Sequence, residues 1–314
     1  MPPAPPVMIA TFPVKSFGMH PLPSAAHDGR KNGGGQVSCG SRGKGRYPAI
    51  SMPRPYFGST TPIAFAHRGG AKRWPENTLL AFRNAAELGY THIETDIHET
   101  SDGRFVCFHD RTLDRTTDGR GNLRDHTLAE LQRLDAGHHF IEDGSYAFRG
   151  ADARIPTLEE ALELDPRLHY NLEIKPYDEG LPRRLWEFIE HHGIHDRVLV
   201  ASEQDEMTEA FRKYSRGRVA TSPGRKGALD FWARALGGVS KHSMFPFDAL
   251  QIPPAFRGMQ VVTPRFIEAA HYHGIQVHVW TIDDPFEMEK LLHAGVDGLM
   301  TDMPEVLLDF LADD

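Results

Sequence analysis

From residue 61 onward, short apolar runs alternate with stretches of helical spacing, and the chemically reactive residues fall just past the apolar runs. The periodicity predicts strands over residues 63–66, 92–97, 168–174, 198–201, 218–221, 250–252, 275–280 and 298–301, with a further run over 104–108. It predicts helices over residues 77–88, 157–163, 181–192, 203–214, 226–236, 264–273 and 285–294. The helix over 157–163 opens on a Thr-x-x-Glu capping box, Thr157 with Glu160. Such alternation specifies an α/β fold, either a closed TIM (β/α)8 barrel or a doubly wound open sheet. The barrel is preferred, because reactive residues end strands spread along the whole chain, and barrels build their sites at that face. Residues 101–150, turn-rich and polar, read as a small insertion after the second barrel strand.

Residues 1–60 have a different character. They hold 10 of the 23 prolines, the run Gly33-Gly34-Gly35 and little periodicity, so they cannot bury enough apolar surface to offset chain entropy. They are expected to be a disordered, dispensable extension, with residues 61–314 as the folded domain. This segment carries seven Lys/Arg and one acidic residue, Asp28, giving +6. Subtracted from 35 basic and 43 acidic residues, that leaves 28 and 42, or −14, for the remainder. A basic arm touching anionic lipid is the functional alternative for the extension. The acidic body argues against a nucleic-acid-binding surface. No apolar run reaches the length of a membrane span, no secretory signal is recognisable, and the two cysteines, Cys39 and Cys107, imply no disulfide framework. A cytoplasmic location is expected.

The chemistry concentrates between residues 63 and 110 and recurs at 170–176. Glu94 and Asp96 are two apart on a strand and share a face. Glu173 ends another strand in Tyr170-Asn171-Leu172-Glu173-Ile174-Lys175-Pro176. A lone strand carboxylate is usually a salt-bridge partner; three converging from two strands form a candidate Mg2+ or Ca2+ site. Zinc fits less well, since neither a cysteine cluster nor HExxH spacing is present. His67 and His109 both end apolar runs, which places them with the carboxylates as a proton-accepting and proton-donating pair. His138-His139, His191-His192, His271 and His273 sit in polar or helical contexts and take no role. Arg68 can grip a phosphate oxygen or pair with Glu94 or Glu173. Asn77 or Thr78 can cap the first helix; Glu76 reads either as a plain helix-dipole residue or as one that also braces the arginine or a histidine of the site. Trp280 reads either as core or as an apolar wall for the alcohol part of a substrate. Arg115-Thr116-Thr117 reads as a turn that positions the insertion.

Taken in order, HRG at 67–69, PENT at 75–78, E-x-D at 94–96, HD at 109–110, LDRTT at 113–117, LEIK at 172–175, VWTID at 279–283 and GVDGLMTDMP at 295–304 resemble the glycerophosphodiester phosphodiesterase family over roughly residues 62–310. Each piece is weak alone; the ordered set is specific. The resemblance implies a TIM barrel that hydrolyses glycerophosphodiesters to sn-glycerol 3-phosphate and an alcohol with a divalent metal. It implies His67 and His109 as the acid/base pair, Glu94, Asp96 and Glu173 as metal ligands, and Arg68 and Lys175 as phosphate contacts. Two departures bear on alcohol specificity: Glu203 stands where many members carry an aromatic residue, and residues 222–260 follow the family only loosely. The competing readings are a barrel phospholipase acting on lysophospholipid or sphingolipid head groups, and an inactive barrel that binds a phosphate ligand.

Overall fold

The computed structural model describes residues 54–58, 61–175, 179–238 and 242–312. The extension expected to be disordered lies outside these residues through position 53. Its end is corrected: Pro55–Phe57 form a 3-10 turn with Tyr56 and Phe57 buried.

The chain runs β1 (Ile63–His67), α1 (Leu79–Leu88), β2 (His92–Glu99), β3 (Phe105–Cys107), α2 (Leu128–Leu131), α3 (Leu158–Leu164), β4 (His169–Ile174), α4 (Leu181–His192), β5 (Val198–Ala201), α5 (Asp205–Ser215) and β6 (Ala220–Thr221). It continues as α6 (Arg225–Gly237), β7 (Ala249–Ile252), β8 (Ala255–Phe256), β9 (Met259–Gln260), α7 (Pro264–Tyr272), β10 (Gln276–Val279), α8 (Pro285–His293), β11 (Gly298–Thr301) and α9 (Pro304–Ala312). Eight strands pair in parallel in the order β6-β5-β4-β2-β1-β11-β10-β7. The two ends of this order meet: Asp248 N–H donates to Thr221 O (2.8 Å), and Thr221 N–H donates to Asp248 Oδ2 (2.9 Å). That is a nearly closed TIM barrel; the open sheet is excluded. Arg54 Nε reaches Asp248 Oδ1 at 2.8 Å, so the segment before β1 braces the same seam.

Strand alternation sorts the side chains. Ile93 and Ile97 of β2, with Tyr170, Leu172 and Ile174 of β4, pack outward in the core under the helices. Phe65, Leu199, Ala220, Ala249 and Met300 fill the interior, where Tyr56 and Phe57 join them. The Tyr56 carbonyl accepts from His92 Nε2 (2.9 Å) at the start of β2, so this pair plugs the base of the barrel, opposite the end that carries Glu94 and Asp96.

β3 is antiparallel to β2 and not a barrel strand. It opens the insertion, which has its own small core of Val106, Phe108, Leu113, Leu123, Leu131, Ala136 and Ile155. The Thr157 capping box is formed, whereas α1 starts at Leu79 with Thr78 as cap rather than at Asn77. The short helix α2, α9 and the two strands of the β8–β9 hairpin went unpredicted.

His278 of β10 is fully buried beside Phe65, with Nε2 donating to Gln276 Oε1 at 2.8 Å. Burial holds its pKa down at about 3. The folded protein therefore keeps this ring neutral while the unfolded chain protonates it below its ordinary pKa of about 6.5, so stability falls as pH drops from about 6.5 toward 3. Replacing His278 with Asn is expected to make the pH dependence of unfolding free energy shallower by about 1.4 kcal/mol per pH unit between pH 6 and 5. Denaturant titrations at the two pH values measure it; identical slopes in both proteins contradict a neutral buried ring.

Candidate active site

The β1–α1 turn starts the site. Arg68 takes a left-handed conformation (φ 53°), followed by Gly69 (φ 83°) and Gly70 (φ 101°). A Cβ on Gly69 would lie 2.8 Å from the Ala81 side chain, and one on Gly70 would lie 3.0 Å from Pro304 and Trp74. Only glycines allow the chain to turn this tightly against α1 and α9. The turn is tied to β2, since Arg68 N–H donates to the Glu94 carbonyl (2.9 Å), with a longer bond to Glu94 Oε2 (3.2 Å).

Strand register then sets neighbours. His67 pairs with Glu94 between β1 and β2, and Asp96 pairs with Glu173 between β2 and β4. Glu94, Asp96 and Glu173 thereby bring ligand oxygens within 4.8 Å of one another. Burial, then the charges of Asp96 and Glu173, push the Glu94 carboxyl up to about 8. Burial also favours the neutral form of Asp96, but Lys175, Arg68 and His109 prevail and hold it down at about 2. Lys175 Nζ lies 2.9 Å from both Asp96 Oδ1 and Glu173 Oε1. Asn77, at φ 55° and buried, is no helix cap: its Nδ2 donates to Asp96 Oδ2 (2.9 Å) and its Oδ1 accepts from Thr95 Oγ1 (2.6 Å). Three clustered carboxylates, with Glu94 and Glu173 both pushed toward protonation by burial and by the neighbouring Asp96 charge, match what a hard divalent cation requires.

Each histidine is anchored through Nδ1. His67 Nδ1 meets Asp302 Oδ1 at 2.6 Å, and His109 Nδ1 meets Asp110 Oδ1 at 2.5 Å. Both rings line the cleft, with Nε2 on the side away from that anchor; that of His67 is 3.7 Å from Glu94 Oε2. Burial would lower the His67 pKa, but Glu94 and the Asp302 hydrogen bond outweigh it and raise it. Asp302 follows β11 and is itself oriented by its N–H donating to Asp283 Oδ1 (2.8 Å).

Arg68 Nη1 donates to Glu76 Oε1 (3.0 Å); its Nε is 3.4 Å from Asp96 Oδ2, an ion-pair distance without hydrogen-bond geometry. That N–H is buried and has no hydrogen-bond partner among the described residues. Arg115 grips Glu76 with Nη1 (2.8 Å) and Nη2 (2.6 Å), and Asp110 with Nε (2.6 Å). Burial opposes ionisation of Glu76, yet Arg115 and Arg68 hold its carboxyl below the usual range.

The cleft holds about 360 Å³ and is two-sided. His67, Arg68, Glu94, His109, Glu173 and Lys175 line one side; Leu229, Trp232, Ile252, Phe256, Val261 and Trp280 line the other. Every residue expected at the site is thus brought together, Asp96 and Glu76 from behind the lining. Sequence reasoning missed Asp302, Asp110 as a histidine partner, and Arg115 as more than a turn residue. Asp302 was within reach of the strand-end rule that found Glu94 and His67, because it directly follows β11.

The glycerophosphoryl diester phosphodiesterase family model matches residues 67–212 and 231–306. The chain is 35% identical over 254 residues to a glycerophosphodiester phosphodiesterase of Caldanaerobacter subterraneus subsp. tengcongensis, a match covering 79% of this chain and 97% of that protein. It is 33% identical over 250 residues to a glycerophosphodiester phosphodiesterase of Bacillus altitudinis, covering 77% and 94%. It is also similar in structure to a phosphodiesterase of Oleispira antarctica solved in complex with the product sn-glycerol-3-phosphate, at TM-score 0.64 and 26% identity over 80% of this chain and 97% of that one. This chain belongs to the glycerophosphoryl diester phosphodiesterase family.

Proposed function

We propose that this protein hydrolyses glycerophosphodiesters to sn-glycerol 3-phosphate and an alcohol, with His67 and His109 as the acid/base pair. The supporting observation is the pair of rings on one cleft, each tied through Nδ1 to its own carboxylate. Arg68 and Lys175 bind the phosphate oxygens. One histidine Nε2 takes the proton of the nucleophile as a P–O bond forms; the nucleophile is water, or the neighbouring glycerol hydroxyl, in which case a cyclic phosphate forms first and water then opens it to glycerol 3-phosphate. The other gives its proton to the departing alkoxide as the second P–O bond breaks. Asp302 and Asp110 keep both rings in the tautomer that exposes Nε2. Glu94, Asp96 and Glu173 would hold Mg2+ or Ca2+, which supplies positive charge against the phosphate oxygens.

Release of glycerol 3-phosphate from glycerophosphocholine, with and without EDTA, tests the reading; release that persists undiminished in EDTA removes the metal from it. Asp302→Asn is expected to lower kcat by about 10-fold or more with KM little changed, because the His67 ring loses its anchor. Unchanged kcat contradicts a role for that dyad.

Metal affinity carries a pH signature. With no cation bound, Glu94 titrates at about 8, so a proton competes with the metal below that value. Calorimetric titration with Mg2+ or Ca2+ is expected to show affinity rising from pH 6 to 8 with proton release. Flat affinity across this range contradicts Glu94 as a ligand.

The apolar side of the cleft favours a second reading within the same chemistry, namely lysophospholipids whose acyl chain lies along it. Leu229 is 41% exposed, Trp280 38% and Phe256 37%, an open apolar surface that small head groups do not need. Phe256→Asp is expected to reduce kcat/KM on lysophosphatidylcholine roughly 10- to 100-fold, the loss of one apolar side-chain contact, and to spare glycerophosphocholine. Equal effects on both substrates refute the acyl-chain reading.

A further inference from the structure

We infer that Arg115 is a positioning residue: it fixes Arg68 and His109 relative to each other by clamping the carboxylates that hold them. The inference rests on the acid/base reading above. Arg68 leaves β1 and His109 follows β3, so the two come from separate loops. Arg68 is held by Glu76, and His109 by Asp110. Arg115 bonds both carboxylates: Glu76 at 2.8 and 2.6 Å, Asp110 at 2.6 and 3.2 Å. The result is a continuous hydrogen-bonded chain, Arg68–Glu76–Arg115–Asp110–His109. Arg68 and His109 line the cleft; Glu76, Arg115 and Asp110 do not. Arg115 therefore acts through its partners and not on substrate.

The backbone bearing Arg115 is fixed. Leu113 is fully buried in the core of the insertion, and Thr117 is 1% exposed with Oγ1 donating to the Leu113 carbonyl at 2.8 Å. The turn thus presents one guanidinium between two buried anchors. A planar guanidinium can bond two carboxylates through separate edges, which a lysine ammonium does not reproduce. Without Arg115, Glu76 and Asp110 become neighbouring like charges, and both are freed to rotate. The insertion so completes the site: its small core delivers one side chain that joins the β1–α1 turn to the loop after β3. An ordinary exposed ion pair contributes little to stability, so a structural role alone predicts little effect on turnover.

The test compares Arg115→Ala and Arg115→Lys with Arg104→Ala, which removes an exposed ion pair with Glu159 elsewhere in the insertion. Steady-state kinetics on glycerophosphocholine, melting temperature, and the imidazole 15N shifts of His109 are read for each. Arg115→Ala is expected to lose about 10- to 100-fold in kcat/KM, the effect of misplacing groups by an ångström or less. Arg115→Lys should recover only part of that, and added guanidinium ion at millimolar concentration should restore activity to Arg115→Ala but not to Arg104→Ala. The His109 15N shifts should change in Arg115→Ala and stay unchanged in Arg104→Ala, a readout independent of turnover. Kinetics and His109 shifts matching those of Arg104→Ala overturn the inference. So does activity lost only in step with melting temperature, without guanidinium rescue. A wild-type protein that turns over no diester overturns the acid/base reading instead, and the His109 shifts then still decide whether Arg115 holds that ring.

Discussion

Glu94, Asp96 and Glu173 repel one another inside the barrel, and much of the mouth is arranged around that repulsion. Register alone forces the crowding: the pairing of β2 with β4 sets Asp96 beside Glu173, and side-chain alternation puts Glu94 on the same face as Asp96. The surrounding groups answer it. Lys175 lies between Asp96 and Glu173, Asn77 abandons helical geometry to donate to Asp96, and the Arg68 backbone N–H reaches Glu94. The left-handed turn at Arg68, Gly69 and Gly70 follows from the same requirement, since it brings that N–H and the guanidinium back over β2. Glu94 is pushed up to about 8 even so, so a proton holds the place that a divalent cation would take.

Around this cluster the two histidines are held from opposite ends of the chain. Asp302 comes from the end of β11, which pairs with β1 only because the barrel closes. Asp110 comes from the insertion. Closure in turn depends on the seam between β6 and β7, where Asp248 bonds Thr221 and is itself held by Arg54. Residues far from the chemistry, down to the Tyr56 and Phe57 plug at the base, thus help define the geometry at the mouth. The polar side of the cleft is built from the ends of strands and the loops after them, and the apolar side adds α6 and β8 to the ends of β7 and β10.

Features encoded by local periodicity were legible in the sequence. The alternation of strand and helix gave the barrel, and the E-x-D spacing with the strand-end histidines gave the residues that meet in the cleft. Features that depend on distant contact were not. Tyr56 and Phe57 look like part of a proline-rich tail until the barrel base offers them a cavity. Asn77 has a cap residue's composition, and only Asp96 reveals why it is left-handed. Arg115 reads as a turn residue because its partners lie 5 and 39 positions away. The β8–β9 hairpin has two-residue strands that are exposed on both faces, so no alternation marks it.

The division of labour between the two histidines can be read from leaving-group dependence. The measurement is kcat/KM for His67→Ala and His109→Ala on glycerophosphocholine and on the 4-nitrophenyl ester of glycerol phosphate, whose alcohol departs without needing a proton. An acid/base pair predicts losses of about 10²-fold or more for both variants on glycerophosphocholine. It also predicts that one variant, the one lacking the acid, recovers most of its activity on the nitrophenyl ester while the other does not. Equal losses on the two substrates, or near-normal turnover in either variant, would contradict paired acid–base catalysis by these residues.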